Sequence, residues 1–272
     1  MVSATQVAHQ PEDPKFLEVR EEVNHKEAKL MPLFDEINDT LLETKLEESK
    51  DVDPFTIPLT QAEATCFARR YPLSSNDPNA IGQWYLDKIN APLAWDITTG
   101  GSTIDSQEIV IAIVDVSFEI SHDDLKENFW RNKHEIALNG IDDDKNGYID
   151  DYDGWNVYQD TGYISAKTPL GSIDKHGTQI AGIIGGVGNN RRDIAGINWS
   201  VKMLPVQGSS TEEAVVIKSY NYILEMRKTY NRTNGDSGAF IIAQNSSFGV
   251  DRRFPNQFPI WCDLFDQLGK AG

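Results

Sequence analysis

Lys175-His176-Gly177-Thr178-Gln179-Ile180-Ala181-Gly182-Ile183-Ile184-Gly185-Gly186 sets one histidine on a tight glycine turn at the mouth of a small-residue apolar helix. Small residues let such a helix pack closely, so the imidazole is backed by rigid structure and open on one side. The positive end of a helix disfavours the imidazolium, which predicts a neutral ring able to accept a proton. Some sixty residues earlier, Glu108-Ile109-Val110-Ile111-Ala112-Ile113-Val114-Asp115 reads as a buried strand that ends in a carboxylate. Open α/β sheets hold their sites outside the carboxyl ends of the strands, where this Asp stands.

Outward from these two segments the chain alternates strand and helix. Strands are predicted at 108–115, 201–206 and 239–245, and helices at 177–186, 211–229 and 259–270. The strand segments are continuously apolar, as expected when both faces of a sheet are covered. The rhythm predicts an α/β fold: a three-layer parallel sheet with helices on both faces and right-handed crossovers. Ahead of it, Ala91-Pro92-Leu93-Ala94-Trp95-Asp96 reads as a short helix with proline in its first turn. Ala271-Gly272 follows the last helix where a further strand is expected, so the sheet is read as truncated before its C-terminal strands.

Composition narrows the function. A formal charge of −17, from 42 acidic against 25 basic residues, argues against nucleic-acid and anionic-membrane partners. No apolar run approaches the roughly 20 residues of a membrane span. No basic segment followed by an apolar core marks a signal peptide at the N-terminus. Cys66 and Cys262 make no disulfide framework; they are read as unpaired core thiols, with a single bridge between them as the alternative. Residues 1–55 read as an acidic extension, a charged arm or a weakly docked helix pair with Pro32 as its break. Residues 56–272 form the second unit of this reading.

Several motifs, taken in order, resemble the subtilases, the subtilisin-like serine peptidases. Asn76-Asp77-Pro78 through Gln83-Trp84-Tyr85-Leu86, then Ile89, Ala91-Pro92, Ala94-Trp95 and Thr99-Gly100, is similar to the family's entry segment. Val110 to Asp115, His122 through Leu125, His176-Gly177-Thr178 and Ile194-Ala195-Gly196-Ile197 continue the likeness. The resemblance implies a subtilisin-like fold and endoproteolysis through an Asp-His-Ser triad, with a peptide or protein as substrate. Asp115 would orient the imidazole, and His176 would act as general base and then acid. Ser247-Phe248-Gly249 resembles the strand end that pairs with a bound peptide and borders its specificity pocket. An extracellular location is implied by the family alone.

Two departures stand out. The family has Asp-(Thr/Ser)-Gly where this chain has Asp115-Val116-Ser117, which removes a glycine and a hydroxyl behind the aspartate. The oxyanion Asn in Ala-Gly-Asn and the nucleophile in Gly-Thr-Ser are both missing. Residues 1–272 are therefore expected to be inactive alone, with the missing C-terminal half of the domain as a partner. The other reading is a non-catalytic subtilase-like module that holds a peptide or calcium. Gly235-Asp236-Ser237-Gly238 looks like a nucleophile segment from a β-barrel protease class, but it sits where a helix should turn into a strand. Ser237 is accordingly read as a turn residue.

Asn139 to Asp151 is a second constellation. Oxygen ligands at alternate positions followed by a Gly turn match the start of a calcium loop, though not its terminal Glu. Asp142, Asp144, Asn146, the Tyr148 carbonyl and Asp150 are the candidate ligands, and a solvated Asx-rich turn is the other reading.

Overall fold

A computed structural model describes residues 73–272. The acidic extension, Cys66 and the linker up to residue 72 lie outside the described residues. Trp84–Lys88 (α1) and Ala91–Trp95 (α2) precede the first strand, Val110–Asp115 (β1). Next come Trp155–Asn156 (β2), His176–Gly185 (α3), Lys202–Gln207 (β3), Glu213–Thr233 (α4), Ile241–Ser246 (β4) and Pro259–Ala271 (α5). The strands form one parallel sheet in the order β2-β3-β1-β4.

Alternation along the central strands builds the three layers. Val110, Ala112 and Val114 of β1 point to one face with Leu204 and Val206 of β3, and there meet Val216, Tyr220, Ile223 and Met226 of α4 and Leu264 of α5. Ile113 of β1 and Met203 of β3 point to the other face and meet Ala181 of α3, with Ile180 and Ile184 at its margin. Successive strand side chains point to opposite faces, so a run of apolar residues feeds both cores at once. The inward residues of α4 recur at three and four, the period of a helix laid along a sheet.

α3 owes its place to its glycines. A methyl at Gly185 would stand 2.9 Å from Met203 Sδ and 2.9 Å from Val201 Cγ1, so only glycine lets the helix approach β3 this closely. α4 ends at Asn234 in the left-handed conformation (φ 55°), followed by Gly235 and Gly238 at positive φ. Ser237 lies in this turn, its N–H donated to Thr233 Oγ1. It enters β4 at the end opposite Asp115, about 20 Å away for a strand of six residues.

Two details depart from the sequence reading. Ile242 and Ala243 of β4 are exposed, because β4 is the edge of the described sheet. Cys262 is a free, half-buried thiol on α5 rather than a core residue, and it donates to the Pro255 carbonyl.

Candidate active site

β1 delivers Asp115 to the carboxyl end of the sheet with only 3% of its side chain exposed. α3 begins at His176, whose Nδ1 lies 3.0 Å from Asp115 Oδ1 and 2.9 Å from Oδ2. A carboxylate only accepts, so Nδ1 must carry the proton and leave Nε2 with a free lone pair. The imidazole is half exposed. The site thus pairs a buried anion with an open base.

Local chemistry sets this geometry. The Asp174 carboxylate accepts the His176 N–H at 2.7 Å, which fixes the start of α3. Ser117 Oγ donates to the Asp174 carbonyl at 2.9 Å and ties the turn after β1 to the turn before α3. The family's glycine is not needed there, since neither Val116 nor Ser117 is among the residues at positive φ. At position 116 the backbone N–H donates to Asp115 Oδ1 at 2.7 Å, a bond that does not depend on the side chain. Gly177 is the contact point: a Cβ there would stand 2.3 Å from the Ser117 carbonyl and 2.9 Å from Asp115 Cβ. Gly177→Ala is therefore expected to push α3 off the strand end, costing about 1–3 kcal/mol of stability and lengthening the Asp115–His176 contact. Chemical denaturation together with the imidazole Nδ1–H proton resonance would check both effects.

The helix N-terminus does not keep the imidazole acidic. The Asp115 hydrogen bond and charge raise the His176 pKa above 6.5, with Asp174 adding to the rise and burial opposing it. A full carboxylate charge at hydrogen-bond distance outweighs a helix end worth roughly half a charge. The neutral ring, the form able to accept a proton at Nε2, therefore predominates only at pH values above 6.5. The protonated ring is favoured in the fold, so its stabilisation is complete below 6.5 and fades as pH rises through the folded value. NMR titration of His176 should show this elevated midpoint, and Asp115→Asn should bring it down. A midpoint at or below the ordinary value would count against the pairing.

Ser247, Phe248 and Gly249 follow β4 directly. Parallel register pairs Val114 with Ser246, so the three residues leave the sheet at the same end as Asp115. Phe248 lies parallel to Trp261 of α5, ring centroids 6.1 Å apart, and Ser247 Oγ accepts Asn245 Nδ2 at 2.9 Å. The entry segment also has a structural role: Asp77 is buried and its carboxylate caps the backbone N–H groups of Asn189, Asn190 and Arg191.

The acidic loop assembles differently from its sequence pattern. Glu135, Asp144 and Asp151 bring carboxylate oxygens within 4.8 Å of one another. Of the candidate carboxylates Asp142, Asp144 and Asp150, Asp144 belongs to this trio. Asp142 caps Asn146 and Gly147, Asp150 caps Asn139 and Gly140, and the Asn146 amide donates to Asp144 and Asp151 while its oxygen takes the Tyr148 N–H. Glu135 and Asp151 were missed because neither falls on the alternating spacing of the loop. Burial raises Glu135 and pushes Asp151 up to about 7, despite bonds to Asp151 from Asn132, Asn146 and Tyr222. Glu135 Oε2 is buried without a hydrogen-bond partner. A cation among these oxygens would satisfy that atom and offset the repulsion of the gathered carboxylates.

The sequence model of the Subtilase family matches residues 106–264. The chain belongs to the subtilase family. Over 130 residues it is 35% identical to Subtilisin-like protease 1 of Plasmodium berghei, a stretch that covers 47% of this chain and 20% of that protein. Over 142 residues it is 32% identical to an Extracellular protease of Xanthomonas campestris, covering 50% of this chain and 23% of the relative. This subtilase chain thus spans only about a fifth of the length of these relatives. A solved protease chain from Pseudoalteromonas arctica aligns with 56% of this chain and 44% of its own, at 22% identity and a TM-score of 0.38. Among the described residues, no helix is long and apolar enough to cross a membrane.

Proposed function

We propose that this subtilase chain carries the Asp-His half of a serine endopeptidase site, with Asp115 as the orienting anion and His176 as the general base and acid. The observation that carries the reading is the two-oxygen approach of the Asp115 carboxylate to His176 Nδ1. Held in that tautomer, Nε2 takes the proton of a serine hydroxyl as the oxygen attacks the peptide carbonyl, and returns it to the departing amine. Buried Asp115 stabilises the imidazolium formed between the two transfers. The peptide lies extended along Ser247-Phe248-Gly249, which opens at the same end of the sheet. No Gly-Thr-Ser or Ala-Gly-Asn occurs in the 272 residues, so the nucleophile and oxyanion donor are assigned to a further segment of the polypeptide, and residues 1–272 by themselves to no hydrolysis. The relatives named as extracellular proteases favour a secreted setting.

The same reading includes a structural calcium site in which Asp144, Glu135 and Asp151 supply carboxylate oxygens, clamping the acidic loop to α4 through the Asp151–Tyr222 bond. Its role is cohesion of the loop, and no catalytic step passes through it.

A serine-directed fluorophosphonate probe tests the catalytic assignment. In the protein carrying the serine segment it should label one serine rapidly, and His176→Ala should abolish the labelling. Labelling of residues 1–272 alone, at Ser237 or Ser247, would overturn the assignment.

A further inference from the structure

Gln207 closes β3 beside Asp115, its partner in the parallel register. Met203, Leu204, Pro205 and Val206 precede it, and at the end of that apolar run the amide is only 1% exposed. A buried amide costs free energy unless its donors and acceptors find partners. Gln207 Oε1 accepts the Ser165 N–H at 3.2 Å and the Asn156 side-chain amide at 3.3 Å, and Nε2 donates to the Lys167 carbonyl at 2.6 Å. Turned over, the amide would set oxygen against oxygen at Lys167, so one orientation alone serves.

The segment so held, residues 165–167, carries both sides of the dyad. Lys167 and Ile173 bridge as antiparallel partners around Thr168-Pro169-Leu170-Gly171, with Gly171 at positive φ, so the chain folds into a small hairpin. On one flank the Ser165 carbonyl accepts the N–H of Phe118 at 2.9 Å, and Phe118 stands three residues after Asp115. On the other flank the Ala166 carbonyl accepts the Asp174 N–H at 3.0 Å. Asp174 in turn takes the His176 N–H on its carboxylate. Residues 157–175 contain no helix and no strand of the sheet. Among the described residues, 165–167 have no other hydrogen bond to a strand. Their attachment to the sheet runs through this amide.

We propose that Gln207 is a positioning residue of the Asp115–His176 pair: through residues 165–167 and Asp174 it sets where α3 begins, and so how His176 Nδ1 meets the carboxylate. The imidazole is half exposed, so its place depends on the backbone that carries it. Gln207 touches neither a substrate nor a reacting atom, and it acts only through the segment it binds. The inference rests on the Asp-His assignment of the endopeptidase reading. It concerns the geometry of the pair rather than hydrolysis, so it can be measured in residues 1–272.

Gln207→Leu removes all three bonds at similar volume. In the 272-residue chain the His176 Nδ1–H should then exchange with water about tenfold faster or more, the effect of losing one or two net hydrogen bonds on a local opening. The imidazole midpoint should fall back toward 6.5 as the carboxylate loosens its hold. Ile223→Ala, in the core beneath α4, is the control for general loosening: it should lower the melting temperature and leave both signals in place. In the protein carrying the serine segment, Gln207→Leu should lower kcat by about a hundredfold with KM nearly unchanged, the cost of a misplacement of about 1 Å. Should the variant fail to fold, amide exchange in the unmodified chain reads the same network. The Phe118, Ser165 and Asp174 N–H groups should share one level of protection, as parts of a unit that opens together. A folded Gln207→Leu chain with the original Nδ1–H exchange and midpoint overturns the role and leaves the pair standing. Equal changes in Ile223→Ala, or protection that differs by orders of magnitude among the three amides, overturn it too. An unmodified chain with neither a protected Nδ1–H nor a raised midpoint overturns both the role and the Asp-His assignment.

Discussion

In the protein carrying the serine segment, Asp115→Asn is expected to lower kcat by about ten-thousandfold, the scale on which an orienting aspartate acts in such triads. The carboxamide has nearly the same shape, so the fold should persist. Its NH₂ end, however, cannot accept from Nδ1–H, and its oxygen carries no charge to stabilise the imidazolium. Both oxygens of Asp115 now face Nδ1, and both contributions vanish together. His176→Ala should do as much damage by removing the proton carrier, and the double variant should be little worse than either single one, because the residues act as a unit. Single-turnover kinetics on a peptide substrate would measure this, with circular dichroism to show that the fold remains. A variant retaining within tenfold of normal turnover would remove Asp115 and His176 from the chemistry.

Calcium is expected to raise the melting temperature by about 5–10 °C relative to chelator. A ligand at a hundred times its Kd adds about 2.7 kcal/mol to the native state, and a domain of this size gains about 2–4 °C per kcal/mol. Asp144→Ala should abolish the gain, as it removes a member of the trio. Glu135→Gln is the more discriminating variant. In metal-free protein it replaces a buried carboxylate, disfavoured where it lies, with a neutral amide, so its melting point should hold or rise. In calcium it should lose most of the increment. Equal melting points in calcium and chelator would leave the loop as a turn held by its own Asx contacts.

Much of the architecture was legible because the governing patterns are local. An apolar run ending in Asp115 and a glycine-rich helix opening at His176 each declare their element through periodicity and turn chemistry. The predicted core strands and helices match those observed to within a few residues, and Ala91–Trp95 is a helix with its proline in the first turn. β2 was missed, since two residues carry no periodic signal and owe their strand geometry to pairing with Val206 and Gln207. The hairpin after it was missed for the same reason.

The limit of sequence reading shows most clearly at the acidic loop. Counting alternate oxygens selected Asp142, Asp144, Asn146, Tyr148 and Asp150, and Asp142 and Asp150 also accept backbone N–H groups of the loop. Glu135 and Asp151 reach Asp144 from outside that spacing. The protonation of His176 is a similar case. Its helix start is visible in the sequence and argues for a lowered pKa, yet Asp115, sixty-one residues away in the chain, lies 2.9 Å away in space and reverses the direction. By itself the sequence determined the order of elements and the family, and put Asp115 and His176 forward as a pair, because these follow from neighbours along the chain. Only the tertiary structure decided which carboxylates meet and which proton His176 holds, because Coulomb energy depends on distance in space and on burial, and chain separation sets neither.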